Sequence, residues 1–182
     1  MLNKRNAIDI LKTVVFTVLI ALGISLILTF VAQRTVVSGN SMYPTLNDGE
    51  SVLVNKLAYK LGDVERFDVV IFPYYNEMTG EEVYYIKRVI GMPGELIRIH
   101  NGLIYIDGEL LTEYYGCYDD DLTYYNGIAG EEMYIGEDEY FVLGDNRNDS
   151  TDSRTIGCVK KADLTGKALI TIYPFSEIGW VK

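Results

Sequence analysis

Leu96-Ile-Arg-Ile-His-Asn-Gly-Leu-Ile-Tyr-Ile-Asp-Gly108 holds two runs of alternating apolar residues on either side of Asn101-Gly102. Asn-Gly supplies the positive φ angles that a tight hairpin turn demands, so the stretch predicts two paired antiparallel strands. The same alternation recurs on both sides of it. Glu50-Ser-Val-Leu-Val-Asn-Lys56, Asp68-Val-Val-Ile-Phe72 and Val83 to Ile90 all read as strands. No long stretch after residue 50 spaces its apolar residues for a helix, and the chain carries 15 Tyr and 17 Gly. The expected fold is mainly β. His100, the one histidine, flanks the hairpin turn and reads as a half-exposed strand residue.

The N-terminus follows a different rule. Between Lys12 and Arg34 lie 21 uncharged residues, and their core, Val14 to Ala32, consists of Val, Ile, Leu, Phe, Ala, Thr, Ser and Gly. Nineteen helical residues span about 28 Å, close to the hydrocarbon thickness of a bilayer. A cleaved secretory leader would have a shorter apolar region ending in a small-x-small site, whereas this run leaves through Phe30-Val-Ala-Gln33. A retained anchor is expected. Lys4, Arg5 and Lys12 precede it against Asp9 alone, which places residues 1–13 in the cytoplasm, 14–32 in the membrane and 33–182 outside. About 148 residues beyond the span are enough for one domain or two small lobes.

Charge removes whole classes of partner. The formal net charge is −10, and from Ile99 to Asn146 there are twelve Asp or Glu and no Lys or Arg. That argues against nucleic acid and against a basic membrane-binding patch. Within this region residues 113–136 form a Tyr-rich, Gly-punctuated insertion, read as a long loop with a solvated acidic surface. Its carboxylates lack the spacing of a calcium loop. Cys117 and Cys158 lie in the segment placed outside, where one disulfide or two free thiols are both open. With no histidine partners and no Cys-x-x-Cys, no zinc site is expected.

Chemistry centres on Ser41, nine residues beyond the span in Ser38-Gly-Asn-Ser-Met-Tyr-Pro-Thr-Leu46. A serine hydroxyl needs a neighbouring base, and lysine serves only if burial lowers its pKa by penalising the ammonium form. Lys87 is the leading candidate: alternation puts Val83, Tyr85, Lys87 and Val89 on one strand face, among apolar and aromatic neighbours, although a strand lysine is more often a solvated surface group. Nine extended residues reach about 30 Å, so Ser41 must lie near the outer bilayer surface. Met42, next to it, points either toward lipid or into a substrate pocket or the core.

Four segments in order, SGNSMYPTL at 38–46, GDVERFDVVIF at 62–72, YYIKRVIGMPGE at 84–95 and GDNRNDSTDSR at 144–154, resemble the type I signal peptidases in their bacterial single-span form. The resemblance covers nearly the whole chain. It implies a membrane-anchored serine endopeptidase without a cofactor. The enzyme would remove signal peptides from exported preproteins with a Ser-Lys dyad, on a fold of two antiparallel β-sheet regions. It makes Ser41 the nucleophile and Lys87 the base, with the Ser150 hydroxyl orienting the amine. It pairs Asp145 with Arg88 and Asp152 with Arg154 as scaffold. It implies small residues, chiefly Ala, at the first and third positions before the cut, read by Val37, Met42, Leu46, Tyr85 and Ile86. Two departures stand out. Some relatives carry a serine side chain as oxyanion donor where this chain has Gly39, leaving the Ser41 N–H and an unassigned second donor; and Asn148-Asp149 reverses a common order. Self-cleaving repressor proteases share the dyad but are soluble and carry a DNA-binding region. An inactive binding module would have no use for an intact Ser41 and Lys87.

Overall fold

The computed structural model describes residues 4–76, 79–116 and 131–182. Cys117 and most of the acidic insertion lie outside these. Helix α1, Lys4–Val31, carries the apolar stretch Ile8–Val31, long and apolar enough to cross a bilayer, and none of the described side chains of that stretch is buried inside the protein. The helix ends one residue earlier than the apolar run suggests. Ala32 opens strand β1, Ala32–Val36, and pairs with Asn55 of β2, Ser51–Asn55.

Most of the remaining chain is strand. A one-turn helix α2, Ala58–Leu61, leads to β3, Val69–Asn76, and to the long β4, Glu81–Gly91. Then come β5, Leu96–His100, β6, Leu103–Ile106, and β7, Glu109–Leu110. After the insertion follow β8, Glu132–Tyr134, β9, Glu139–Leu143, the short α3, Ser153–Ile156, and β10, Val159–Lys160. The chain closes with β11, Gly166–Tyr173, and β12, Gly179–Trp180. Every strand pair is antiparallel. The large sheet runs β1-β2-β11-β3-β4-β9-β10 with β12 beside β11, and the small one runs β7-β6-β5-β8. The expected mainly β fold of two antiparallel sheets is therefore the observed one.

The hairpin forms where its sequence predicts. Asn101 and Gly102 take φ of 49° and 77°, and His100 pairs with Leu103 across the turn. Alternation then sends Ile97, Ile99, Ile104 and Ile106 inward onto Ile90, Phe141 and Leu143 of the large sheet, each fully buried aliphatic side chain contributing about 1.5–3 kcal/mol. His100 remains exposed at the strand end. A second cluster, built from Val37, Met42 and Leu46 against Val52, Val54, Val69, Ile71, Ile86 and Ala168, ties the segment after β1 to the large sheet. That segment carries Ser41.

Candidate active site

Ser41 occupies a turn held from below. Val37 and Met42 flank it in sequence and are 3% and 1% exposed, while Tyr43 N–H donates to Asn40 O and Leu46 N–H to Met42 O. Two buried apolar hooks thus fix a short loop whose serine stays half-exposed. Met42 makes no lipid-facing contact: burial settles its two readings in favour of core and cleft. Gly39 takes φ +84°, a conformation L side chains rarely adopt, and its N–H donates to Asp48 Oδ1 at 2.7 Å. The glycine in place of a serine is thus built into the backbone, and its N–H is already engaged. Ser41 N–H donates to no acceptor among the described residues.

Lys87 comes from the middle of β4, opposite Val70 on β3. Its side chain is buried, with Nζ 2.7 Å from Ser41 Oγ, 3.0 Å from its neighbour's carbonyl, Ile86 O, and 5.0 Å from the Tyr85 ring centre. Burial lowers its pKa from 10.5 to about 8, against the opposing pull of the Asp152 and Asp145 carboxylates. Forty-six residues separate serine and lysine in sequence, yet they share a hydrogen bond.

The loop 144–154 closes the site from the other side. Asn146 N–H donates to Ser41 O at 3.0 Å. Gly144 lies so close that a Cβ there would fall 2.2 Å from Ser150 Oγ and 2.5 Å from Ser41 O. Asp152 accepts from Gly144 N–H and grips Arg154 through both its Nε and Nη2, all fully or largely buried. Asp145 likewise holds Arg88 in a two-pronged pair, 2.8 and 2.6 Å, which Thr45 Oγ1 joins by donating to Asp145. Arg88 also donates to Phe67 O and Lys182 O, and its guanidinium stacks 3.9 Å from the Tyr115 ring centre. Both expected Asp–Arg pairs are present, with geometry and burial that suit scaffolding.

Three expectations need correction. Ser150 Oγ is buried but has no hydrogen-bond partner, so the expected bond to the Lys87 amine is not formed here; the ammonium's contacts go to Ser41 and Ile86 O. Leu46, fully buried, supports the turn and is not a wall of the cleft, because it occupies the core beneath Ser41. Glu113 is not part of a solvated acidic face: Arg147, itself buried, clamps it through both guanidinium nitrogens while donating through Nε to Gly144 O.

A cleft of about 340 Å³ opens over Ser41 and Lys87. Val37, Met42, Tyr85 and Ile86 line it, joined by Val36, Ser38, Asn40, Tyr84, Asp149 and Thr151. Alternation offers the missed residues no apolar pattern to find them by; they enter as neighbours of the segments already singled out. Two strand edges face the opening. β1 pairs only with β2, and β4 is paired with β9 from Arg88 onward, leaving its edge at Tyr84 to Lys87 open among the described residues.

The chain is similar to known proteins. The family model described as signal peptidase, peptidase S26, matches residues 7–173. A probable signal peptidase I-2 of Synechocystis is 33% identical over 97% of this chain and 78% of its own length. Signal peptidase I S of Bacillus subtilis is 33% identical over 97% of this chain and 94% of its own. A solved signal peptidase I from Enterococcus faecalis is 32% identical, covering 58% of this chain and 96% of its own, with a TM-score of 0.44.

Proposed function

Since this chain belongs to the signal peptidase I family of S26 peptidases, serine endopeptidases that cleave signal peptides from exported preproteins, we propose that Ser41 and Lys87 form its dyad and that α1 anchors it in the membrane with the β domain outside. The observation that carries the dyad is the 2.7 Å contact between Ser41 Oγ and a lysine whose burial lowers its pKa to about 8.

The chemistry follows from that contact. Once Lys87 is neutral, the hydrogen bond reverses and the Ser41 O–H donates to the amine. Oγ attacks the scissile carbonyl as Lys87 takes the proton, and the oxyanion forms against the unengaged Ser41 N–H. Collapse breaks the C–N bond, the Lys87 ammonium protonates the leaving amine, and an acyl-serine remains. Water then attacks the acyl carbon, giving its proton to Lys87; the Oγ–acyl bond breaks, the Lys87 ammonium returns the proton to Ser41 Oγ, and the signal peptide leaves.

The substrate lies extended between the open edges of β1 and β4, where main-chain hydrogen bonds ignore side-chain identity. Selection then rests on shape at the first and third positions before the cut, enforced by Val37, Met42, Tyr85 and Ile86. In a peptide series varying only those positions, Phe or Leu in place of Ala should reduce kcat/KM roughly tenfold to two-hundredfold. Equal cleavage of all members would exclude shape selection.

The deciding experiment is cleavage of a model preprotein by wild type, Ser41→Ala, Lys87→Ala and the double variant. Each single variant should lose several orders of magnitude and the double should be little worse, because members of one catalytic unit are not additive. Substantial turnover by Lys87→Ala would remove lysine from the mechanism.

A further inference from the structure

Four lysines line one cavity of about 430 Å³: Lys56 and Lys60 around α2, Lys160 at the end of β10 and Lys161 just after it. In a chain of net charge −10 this is a local reversal of sign. Acidic groups border it as well: Glu139 lies opposite Lys160 on β9, and Asp68 accepts from the Tyr59 O–H at 3.0 Å. Asp138 lines the cavity and Asp63 pairs with Lys161 at 3.0 Å, while Lys56, Lys60 and Lys160 have no ion pair among the described residues. Like charges brought together repel, and such a cluster is relieved by an anion placed among them. Tyr59, Ala162 and Leu164 give the cavity an apolar wall beneath the ammonium groups.

Position identifies the anion. Lys56 N–H donates to Val31 O at 2.9 Å, so the cavity begins one hydrogen bond from the end of the helix read as the anchor. Asn55, the residue before, pairs with Ala32. Beside Lys60 on the same short helix, Leu61 is 82% exposed, an apolar side chain with no protein cover. An apolar wall, a charged rim and a free leucine at a membrane exit suit a group that is itself anionic at one end and oily at the other.

We propose that this cavity binds the phosphodiester headgroup of an anionic phospholipid, seating the domain on the membrane at the helix exit. The proposal rests on the anchored reading above, and it departs from the expectation, drawn from overall charge, that no basic membrane patch exists. The lysines supply charge-assisted donors to the phosphate oxygens, and Leu61 enters the upper acyl region.

The test uses the full chain reconstituted in phosphatidylcholine vesicles, with or without phosphatidylglycerol, and reads lysine acetylation by mass spectrometry. With phosphatidylglycerol present, Lys56, Lys60 and Lys160 should acetylate several-fold more slowly while Lys182 does not change, and added salt should erase the difference. Native mass spectrometry should find phosphatidylglycerol bound to wild type. Each Lys→Gln change among the three should weaken that retention roughly fivefold, whereas the Lys→Arg changes preserve it. Equal acetylation in both vesicle types, with the protein still resisting alkaline carbonate extraction, would overturn the headgroup site and leave the anchor standing. Extraction by carbonate would overturn the anchor and this proposal together. Equal protection by free sn-glycerol 3-phosphate in detergent would assign the cavity to a soluble anion and overturn the lipid.

Discussion

Lys87 carries a cost that the proposed role as catalytic base explains. Burial is the main cause of its pKa falling from 10.5 to about 8, and each tenfold loss of proton affinity corresponds to about 1.4 kcal/mol between protonation states. The sign is fixed by proton counts. Between about pH 8 and 10.5 the unfolded chain holds this proton and the folded one does not, so the native state gains stability as pH rises through that window and loses it as pH falls toward 8. Replacing the ammonium by an apolar chain of similar length removes the penalty. Lys87→Met should therefore be inactive yet more stable than wild type at pH 7, by an amount on the order of 2–3 kcal/mol, and the gap should close near pH 10.5 in denaturant titrations. A less stable Lys87→Met at neutral pH would mean that the charged amine is held by partners strong enough to offset its burial. Activity follows the same proton: kcat/KM should climb with pH through about 8 and be indifferent to His100→Ala, since His100 lies exposed at the end of β5. A plateau already reached at pH 6 would show that Lys87 is not the group being titrated.

At the scale of elements, what was legible depended on whether the determining contacts were local. Asn101-Gly102 fixes its hairpin through two φ angles inside the turn, and alternation in β4 correctly put Lys87 with Tyr85. Strand β1 was hidden because Ala-Gln-Arg-Thr-Val has no alternation of its own; pairing with β2 makes it a strand. β10 and β12, two residues each, leave no pattern to read. Motif order pointed to Ser41 and Lys87, but nothing in the sequence could reveal that Gly144, about a hundred residues from Ser41, touches both its carbonyl and Ser150, or that Arg147 reaches Glu113 across the insertion. Those contacts exist only once the strands close. They make Gly144 the tightest joint between the two halves of the site. Gly144→Ala must push Ser150 or the Ser41 backbone aside, and a displacement on the order of 1 Å costs about a hundredfold in rate. The expected outcome is a folded protein, by circular dichroism, with kcat/KM down by roughly that factor. Full activity would mean that the 144–154 loop gives way without disturbing Ser41. Glu113→Gln tests the neighbouring joint: it leaves Arg147 buried without its carboxylate and should lower the melting temperature, as loss of one partner of a buried pair does.

With α1 in the membrane as proposed, five residues separate two solvents. α1 ends at Val31, β1 runs from Ala32 to Val36, and Val36 already lines the cleft over Ser41, so the helix exit and the cleft wall are separated by about 17 Å of extended chain. β1 is also pinned along its length to β2, which makes the connection a rigid spacer and not a tether. A substrate whose own apolar segment lies in the same membrane would present its cleavage site within this short range. The gain is then one of effective concentration: confining enzyme and substrate to one surface raises encounter without any new contact, typically by about 10² to 10⁴-fold. A chain beginning at Ala32 retains β1, the Ser41 turn and the Lys87 strand; it loses the Val31 carbonyl that accepts from Lys56 N–H, but the core cluster around Val37, Met42 and Leu46 draws no residue from α1. It should cut a short soluble peptide with kcat/KM within about threefold of the full chain, since the dyad and cleft do not change. On a preprotein embedded in vesicles it should fall behind by at least roughly a hundredfold, the lower end of that surface gain. Parallel losses on both substrates would instead assign α1 a part in folding the domain. Equal rates on the vesicle-bound preprotein would show that the spacing between Val31 and Ser41 has no bearing on catalysis.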